Sequence, residues 1–343
     1  MAQSKPKIVV AGAGSVGCYI GGCLALAGRD VTLLLRSSLA GIIAGHGLRI
    51  SDLTGADHTL PPSAVRLATD PAAAFADADV VLVTVKCGDT AAMARLIGEH
   101  APDGVTVVSL QNGVGNVDVL LANAGGTGRI VPGMVPFNVV QTHGEGGPVR
   151  FHRATSGTVQ IGSGQAGLQQ LLDVPGVRVA EHADMSGVLW SKLMLNMNNA
   201  LVALSNLPLA TQLADRRWRR ILARQISEAL GVLKAAGFKP LRLEGVAPGT
   251  IPRILRLPDW LFRRVAGRML AVDPAARSSM WEDLTRGRLT EIDYLQGAVQ
   301  ALARKHNVRT PVTDGIVRLV KQAEAAKAGS PGLSADMLER AIK

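Results

Sequence analysis

Apolar residues along this chain fall into two regimes. Over the first 160 residues they come as short unbroken runs, each closed by glycine or a polar turn. The runs are KIVVAGAG (7–14), DVTLLLR (30–36), DVVLVTVK (79–86), GVTVVSLQNG (104–113) and RIVPGMV (129–135). Val/Leu-rich runs of this length, alternating with helical stretches, predict strands of a parallel sheet covered on both faces. TSGTVQIGSG (155–164) predicts a hairpin-type closing strand. SVGCYIGGCLALAG (15–28), rich in small residues, predicts a helix stopped by Gly28. The expected N-terminal fold is therefore α/β, a doubly wound Rossmann-like dinucleotide-binding domain.

After about residue 184 strand signals almost vanish, and amphipathic periods cover 187–206, 215–237, 277–306 and 312–327. The second domain is expected to be mainly α-helical. Its boundary falls in a Gly- and Gln-containing stretch between 165 and 185, placed at 1–175 and 176–343. The tail beyond Gly329 predicts a short helix or a partly frayed end.

One helical stretch, LWSKLMLNMNNALVALSN (189–206), carries Lys192, Asn196 and Asn199 on an otherwise apolar segment. At about 100° per residue these three lie within roughly 60° of one another. Burying an unpaired amide costs about 1–3 kcal/mol. Such a polar side therefore either satisfies itself and nearby backbone or faces something polar outside the chain.

Composition narrows the picture. The chain has 343 residues, 47% apolar and only 3% aromatic, so Ala, Val and Leu must fill the core of two ordinary-sized domains. No uninterrupted apolar run is long enough to span a membrane. MAQSKPK leads straight into the first strand and leaves no room for a signal peptide. Cys18, Cys23 and Cys87 have neither metal-ligand spacing nor a disulfide framework, which points to a reduced, cytoplasmic setting. The net charge of +10 raises nucleic acid as a partner, but the arginines are dispersed and aromatic stacking platforms are lacking. A phosphate-rich small ligand and solvated helix faces account for the charge instead.

Candidate chemistry begins at Gly12-Ala13-Gly14-Ser15-Val16-Gly17, a G-x-G-x-x-G that follows a buried strand and opens a helix. The first glycine allows a tight turn, the second lets backbone approach a pyrophosphate, and the third lets helix pack on strand. The alternative is a purely structural glycine turn. At the end of the second strand, where an NAD site places Asp or Glu, stand Arg36, Ser37 and Ser38. A guanidinium and two hydroxyls suit a 2′-phosphate, so the expected cofactor is NADP(H), against the bland reading of a solvated surface arginine. Lys86 and Asn112 close the next two strands on the edge where such sheets bind ligands. A surface lysine and a turn-forming asparagine are their bland readings.

A second dense patch, ARSSMWEDLTRGRLTEIDYLQG (276–297), reads on composition as a solvated amphipathic helix with i,i+4 charge pairs. Taken with GAGSVG (12–17 with its preceding strand), VTVK (83–86), QNG (111–113), LWSKLMLN (189–196) and RSSMWEDLTRGRLTEID (277–293), the chain resembles the ketopantoate reductase (2-dehydropantoate 2-reductase) family. The motifs follow the family's order over nearly the whole chain. The resemblance implies a Rossmann domain, a helical C-terminal domain and an active site in the cleft between them. It implies NADPH-dependent reduction of a small 2-oxo acid, with Lys192 as general acid and Glu291 as active-site carboxylate. Asn196 and Ser279 would bind substrate, and Lys86 and Asn112 would lie near nicotinamide and substrate. Glu291 would either bind the substrate hydroxyl or orient Lys192.

The sequence also departs from the family pattern. A second Asn four residues after the first is replaced by Ala200, leaving Asn198 and Asn199 as the nearest amides. Leu207-Pro208-Leu209 stands where relatives carry a further substrate-contacting Asn, and Cys87-Gly88-Asp89 follows Lys86. The basic segment 245–275 is long for the family and reads as a packed helix pair, a cleft cover, a contact in a homodimer or an acid-seeking surface. Rival readings are a reductase of another 2-oxo acid, a β-hydroxyacid dehydrogenase-like enzyme and a non-catalytic NADP-binding regulator. Neither a membrane nor a nucleic acid is an expected partner.

Overall fold

The computed structural model describes residues 5–126, 128–144, 146–242, 247–267 and 276–342. The chain forms two compact units, Met1–Met185 and Ser186–Lys343.

The first unit holds twelve strands among the described residues: β1 Lys7–Ala11, β2 Asp30–Leu34, β3 Leu48–Asp52, β4 Asp57–Leu60, β5 Arg66–Ala68, β6 Val80–Val83, β7 Thr106–Ser109, β8 Arg129–Met134, β9 Val139–Thr142, β10 Val149–Arg153, β11 Val159–Gly162 and β12 Val179–His182. The main sheet runs β12-β11-β8-β7-β6-β1-β2-β5. From β8 to β5 every pairing is parallel, as the Val/Leu runs require. The expected closing strand, β11, does pair with β8 in antiparallel fashion, but as a long return and not a hairpin, because β9 and β10 intervene. It then pairs in parallel with β12.

A second sheet, β4-β3-β10-β9, has no counterpart in the sequence reading. Its strands are short and bury one face only, through Leu48, Ile50, Val149 and Phe151. The helix Ser15–Leu26 packs against both sheets, which explains its small residues. A Cβ at Gly21 would stand 2.5 Å from Leu33 Cδ2, and one at Gly22 2.6 Å from Ile50 Cδ1. Cys18 and Cys23 fill this layer, where burial pushes both thiols up to about 12, so they pack as protonated apolar groups.

The second unit is helical. Its helix Arg216–Ala235 buries Trp218, Ile221, Leu222, Ile226, Ala229, Val232 and Leu233, a one-sided stripe at helical spacing. The Asp215 carboxylate caps it, accepting from the Arg217 N–H at 2.8 Å. From the same helix, Glu228 accepts the N–H groups of Val312 and Thr313, both at 2.9 Å, and so caps the helix Pro311–Ala326. The amphipathic period expected across 277–306 is broken into helices Ser279–Thr285 and Gln296–Lys305. Gly287 takes φ +62°, and the Arg288 N–H bonds the Asp283 carbonyl at 2.8 Å, a glycine stop of the Schellman type. The tail beyond Gly329 ends in the helix Ala335–Ala341. Of the basic segment 245–275, residues 247–267 form the short helices Ile251–Leu255 and Asp259–Val265. Residues 245, 246 and 268–275 lie outside the described residues. Among the described residues no helix is long and apolar enough to cross a membrane.

Candidate active site

Parallel register sets the geometry of the candidate residues in the first unit. Ala11 of β1 stands level with Leu34 of β2 and Val83 of β6, and Val83 stands level with Ser109 of β7. Four adjacent strands therefore end on one row. Just beyond it follow Gly12, Arg36, Lys86 and Asn112 in turn. The chain leaves β1 toward β2 on one side and returns to β6 on the other, so the sheet's topological switch lies between β1 and β6.

The glycine turn is held tightly. Gly12 and Ala13 both donate to the Leu34 carbonyl, at 3.1 and 2.9 Å. Gly12 has φ +77°, and a Cβ there would lie 2.1 Å from Val85 Cγ1. At Gly17 a Cβ would meet Thr84 Oγ1 at 2.5 Å and Val10 Cγ1 at 2.9 Å, so the helix reaches the sheet only without a side chain. Gly14 differs: the nearest atom to its absent Cβ is the Gly12 carbonyl oxygen at 4.0 Å. The space over Gly14 is open, at the start of the helix Ser15–Leu26, which has neither a side-chain cap nor an acidic residue in its first turn. Ser15 and Val16 complete that first turn. This is room and potential for a pyrophosphate, and the residues fit a dinucleotide. Arg36 is exposed at the N-terminus of the helix Ser37–His46, with Ser37 and Ser38 exposed beside it.

Lys86 and Asn112 are also exposed, yet their backbones are fixed by buried polar side chains. Gln111 donates to the Val85 carbonyl at 3.1 Å and to the Thr90 hydroxyl at 2.7 Å. Thr90 donates to the Cys87 carbonyl at 2.8 Å. Asn116 donates to the Asn112 carbonyl at 2.7 Å, and the Cys87 thiol reaches the same oxygen at 3.0 Å. Thr90, Gln111 and Asn116 carry no single-residue signature. Polar residues near strand ends read as turn formers, and the bonds that join the three to one another span more than twenty positions.

The other candidate residues lie in the helical unit. Lys192 and Asn196 are half-buried on the helix Met185–Asn196, between the buried Leu193, Met194 and Met197. The single polar stripe expected from Lys192 to Asn199 is interrupted. The Met197 N–H bonds back three residues to Met194, at 3.3 Å, and a new helix starts at Asn198. Asn198 and Gln212, both buried, exchange two amide hydrogen bonds of 3.0 and 3.1 Å, so Asn198 is a packing residue. Half-buried Asn199 offers its carbonyl to the Ser278 hydroxyl at 2.9 Å. That hydroxyl also caps the helix on which Ser279 stands exposed as the first residue.

Glu291 is half-buried on the turn between the two helices of the 277–306 segment. On one side buried Glu324 accepts the Thr290 N–H and hydroxyl at 2.8 and 2.7 Å. On the other, Gln296 donates to the Met197 carbonyl at 2.9 Å. That last bond ties the Glu291 segment to the end of the Lys192 helix at the helical break. Gln296 and Glu324 are anchors that the sequence did not reveal.

Comparison with known proteins matches this arrangement to a family. A family model described as ketopantoate reductase PanE/ApbA matches residues 8–166, and one described as ketopantoate reductase PanE/ApbA C terminal matches residues 184–324. The 2-dehydropantoate 2-reductase of Halobacterium salinarum is 32% identical over 331 residues, 93% of this chain and 99% of that protein. Among solved structures, a PanE/ApbA family ketopantoate reductase from Ralstonia eutropha JMP134 has a TM-score of 0.78 at 29% identity, covering 94% of this chain and 99% of its own. A 2-dehydropantoate 2-reductase from Geobacter metallireducens GS-15 has a TM-score of 0.75 at 26% identity, covering 92% and 99%.

Proposed function

Because the chain belongs to the ketopantoate reductase family, we propose that it reduces 2-dehydropantoate to pantoate with NADPH. Membership makes it an oxidoreductase working on a carbonyl/alcohol pair. The observation that carries the finer reading is the anchoring of the Glu291 segment to the end of the Lys192–Asn196 helix, through Gln296 and Met197. It brings the two candidate catalytic segments together within one unit.

In this reading the N–H groups at Gly14, Ser15, Val16 and Gly17 receive the pyrophosphate, and Arg36 with Ser37 and Ser38 receives the 2′-phosphate. Lys86 and Asn112 serve the nicotinamide end and the substrate. The bound cofactor supplies a hydride to the ketone carbon. Lys192 then meets the negative charge that grows on the ketone oxygen and delivers its proton there. Asn196 and Asn199 donate and accept toward the substrate's polar groups, and Ser279 donates to its carboxylate. Glu291 accepts from the substrate hydroxyl or orients the Lys192 ammonium.

One observation favours a second substrate. With Asn198 committed to Gln212, and Ala200 standing four residues after Asn196, this helix presents fewer amides than the family pattern. A 2-oxo acid without the distal hydroxyl would need fewer.

The test is consumption of NADPH with 2-dehydropantoate, set against a panel of other 2-oxo acids and against NADH. Fast turnover of 2-dehydropantoate with NADPH is the expected result. Turnover confined to another oxo acid would move the substrate, and equal use of NADH would remove the cofactor assignment. Within the same assay, Arg36→Ala should weaken NADPH about tenfold to a hundredfold, the worth of charge-assisted hydrogen bonds to a phosphate, and leave NADH unchanged. Unchanged preference between the two cofactors would take Arg36 out of the 2′-phosphate site.

A further inference from the structure

Ser109, Gln111, Thr90, Asn116 and Cys87 are all at least nine-tenths buried, and they form one hydrogen-bonded cluster between the ends of β6 and β7. Its donors are nearly saturated. Gln111 Nε2 has two protons and two acceptors, the Val85 carbonyl and the Thr90 hydroxyl. Gln111 Oε1 accepts from Ser109 at 3.1 Å. Asn116 Nδ2 has two protons and two acceptors, the Asn112 carbonyl at 2.7 Å and Cys87 Sγ at 3.6 Å. Turning that amide over would set oxygen against the Asn112 oxygen, so its orientation is fixed. Thr90 stands at the centre: it accepts from Gln111, donates to the Cys87 carbonyl, and lies 3.1 Å from Asn116 Oδ1.

The acceptors of this cluster share a location. The Val85 and Cys87 carbonyls flank Lys86, and the third held carbonyl is that of Asn112 itself. The cluster thus pins the backbones that carry Lys86 and Asn112 at the strand-end row.

We propose that Thr90, Gln111 and Asn116 are positioning residues that brace Lys86 and Asn112 at a fixed separation for work on the bound cofactor and substrate. The proposal rests on the reading of those two residues as part of the active site. A brace of this kind limits the displacement of groups whose misplacement by about 1 Å can cost a hundredfold in rate. The cluster is assembled from two strand-end loops, so loosening either frees both.

Thr90→Val removes the hydroxyl at nearly constant shape, and Thr90→Ser restores it. Thr90→Val should lower kcat/KM about tenfold, and Thr90→Ser should stay within about twofold of the native protein. Combined with Lys86→Ala and Asn112→Ala, Thr90→Val should add less than about twofold, because it acts through those side chains. Independently of activity, native-state hydrogen exchange at the Lys86 and Gly113 amides should quicken about tenfold in Thr90→Val and not in Thr90→Ser. Unchanged exchange, or the same tenfold loss in the Lys86→Ala/Asn112→Ala background, would overturn the brace. Full activity of the Lys86→Ala/Asn112→Ala protein would instead overturn the reading of the site beneath it.

Discussion

Replacing Lys192 with alanine should lower kcat about a hundredfold to ten-thousandfold, the range for loss of a positioned general acid, while the NADPH dissociation constant stays within about twofold. The split follows from where charge appears. The ammonium meets little charge on a neutral ketone and a full charge on the alkoxide-like oxygen of the transition state, so its worth is realised in the chemical step. Its surroundings support that role. Lys192 is half-buried on a helix whose neighbouring side chains, Leu193 and Met194, are wholly buried, which limits screening by water. The same helix is anchored twice. Ser191 accepts the Leu241 N–H at 2.8 Å, and the Met197 carbonyl accepts from Gln296. Lys192→Arg should recover little, because a guanidinium keeps the charge but holds its proton too firmly to give it up. Rapid-mixing measurement of the hydride step, beside a fluorescence titration with NADPH, separates the two quantities. Equal losses in both would mean that Lys192 binds cofactor and is not the proton donor.

What was legible in the sequence was whatever recurs locally. Five apolar runs marked β1, β2, β6, β7 and β8, because strands buried on both faces need unbroken Val and Leu. The glycine hexamer was legible because each glycine answers a local constraint: a left-handed turn at Gly12, an open approach at Gly14, a helix contact at Gly17. The second sheet was hidden because its strands are short and bury one face, and because its two local pairs, β3 with β4 and β9 with β10, are joined only through β3 and β10, about a hundred residues apart, as in Phe151 with Ile50. The break at Met197 was hidden for a different reason. Neither glycine nor proline marks it, and Asn196 and Asn199 read as one polar side of a continuing helix; only the fold shows the Met197 N–H bonding back three residues while its carbonyl takes a side-chain amide from Gln296. Gly287 stood in plain view, but apolar spacing resumes in register after it, so periodicity ran over a stop that the Schellman bonds enforce. Amide partners such as Asn198 with Gln212 carry no local signal, and only the fold decides which asparagines pack and which remain available.

The same limit governs the arginine whose loss should most damage stability. Arg219 lies within the basic run RRWRR and reads as one more solvated charge, yet it is wholly buried. All five of its N–H donors are used. Nε donates to the Leu255 carbonyl at 3.2 Å, Nη1 to the carbonyls of Leu213 and Ala214 at 2.9 and 3.0 Å, and Nη2 to the Leu257 carbonyl at 3.0 Å and Asp259 at 2.6 Å. Its guanidinium also lies 4.1 Å from the Phe262 ring centroid. One side chain therefore fastens both short helices of residues 251–265 to the long helix Arg216–Ala235 and satisfies four main-chain acceptors. Arg219→Leu keeps apolar volume but leaves those carbonyls without a donor. The expected cost is about 3–5 kcal/mol, the range for breaking a buried charge network. In a unit of this size that lowers the melting temperature on the order of 10 °C. Arg219→Lys should recover less than half, since three donors on one nitrogen cannot reach acceptors spread across the planar fork. Urea unfolding gives the magnitude, and hydrogen exchange over residues 251–265 gives the location. A loss under about 1 kcal/mol, or exchange that quickens uniformly along the chain, would show that water replaces the guanidinium and that the segment is held by its apolar contacts at Ile251, Leu255 and Phe262.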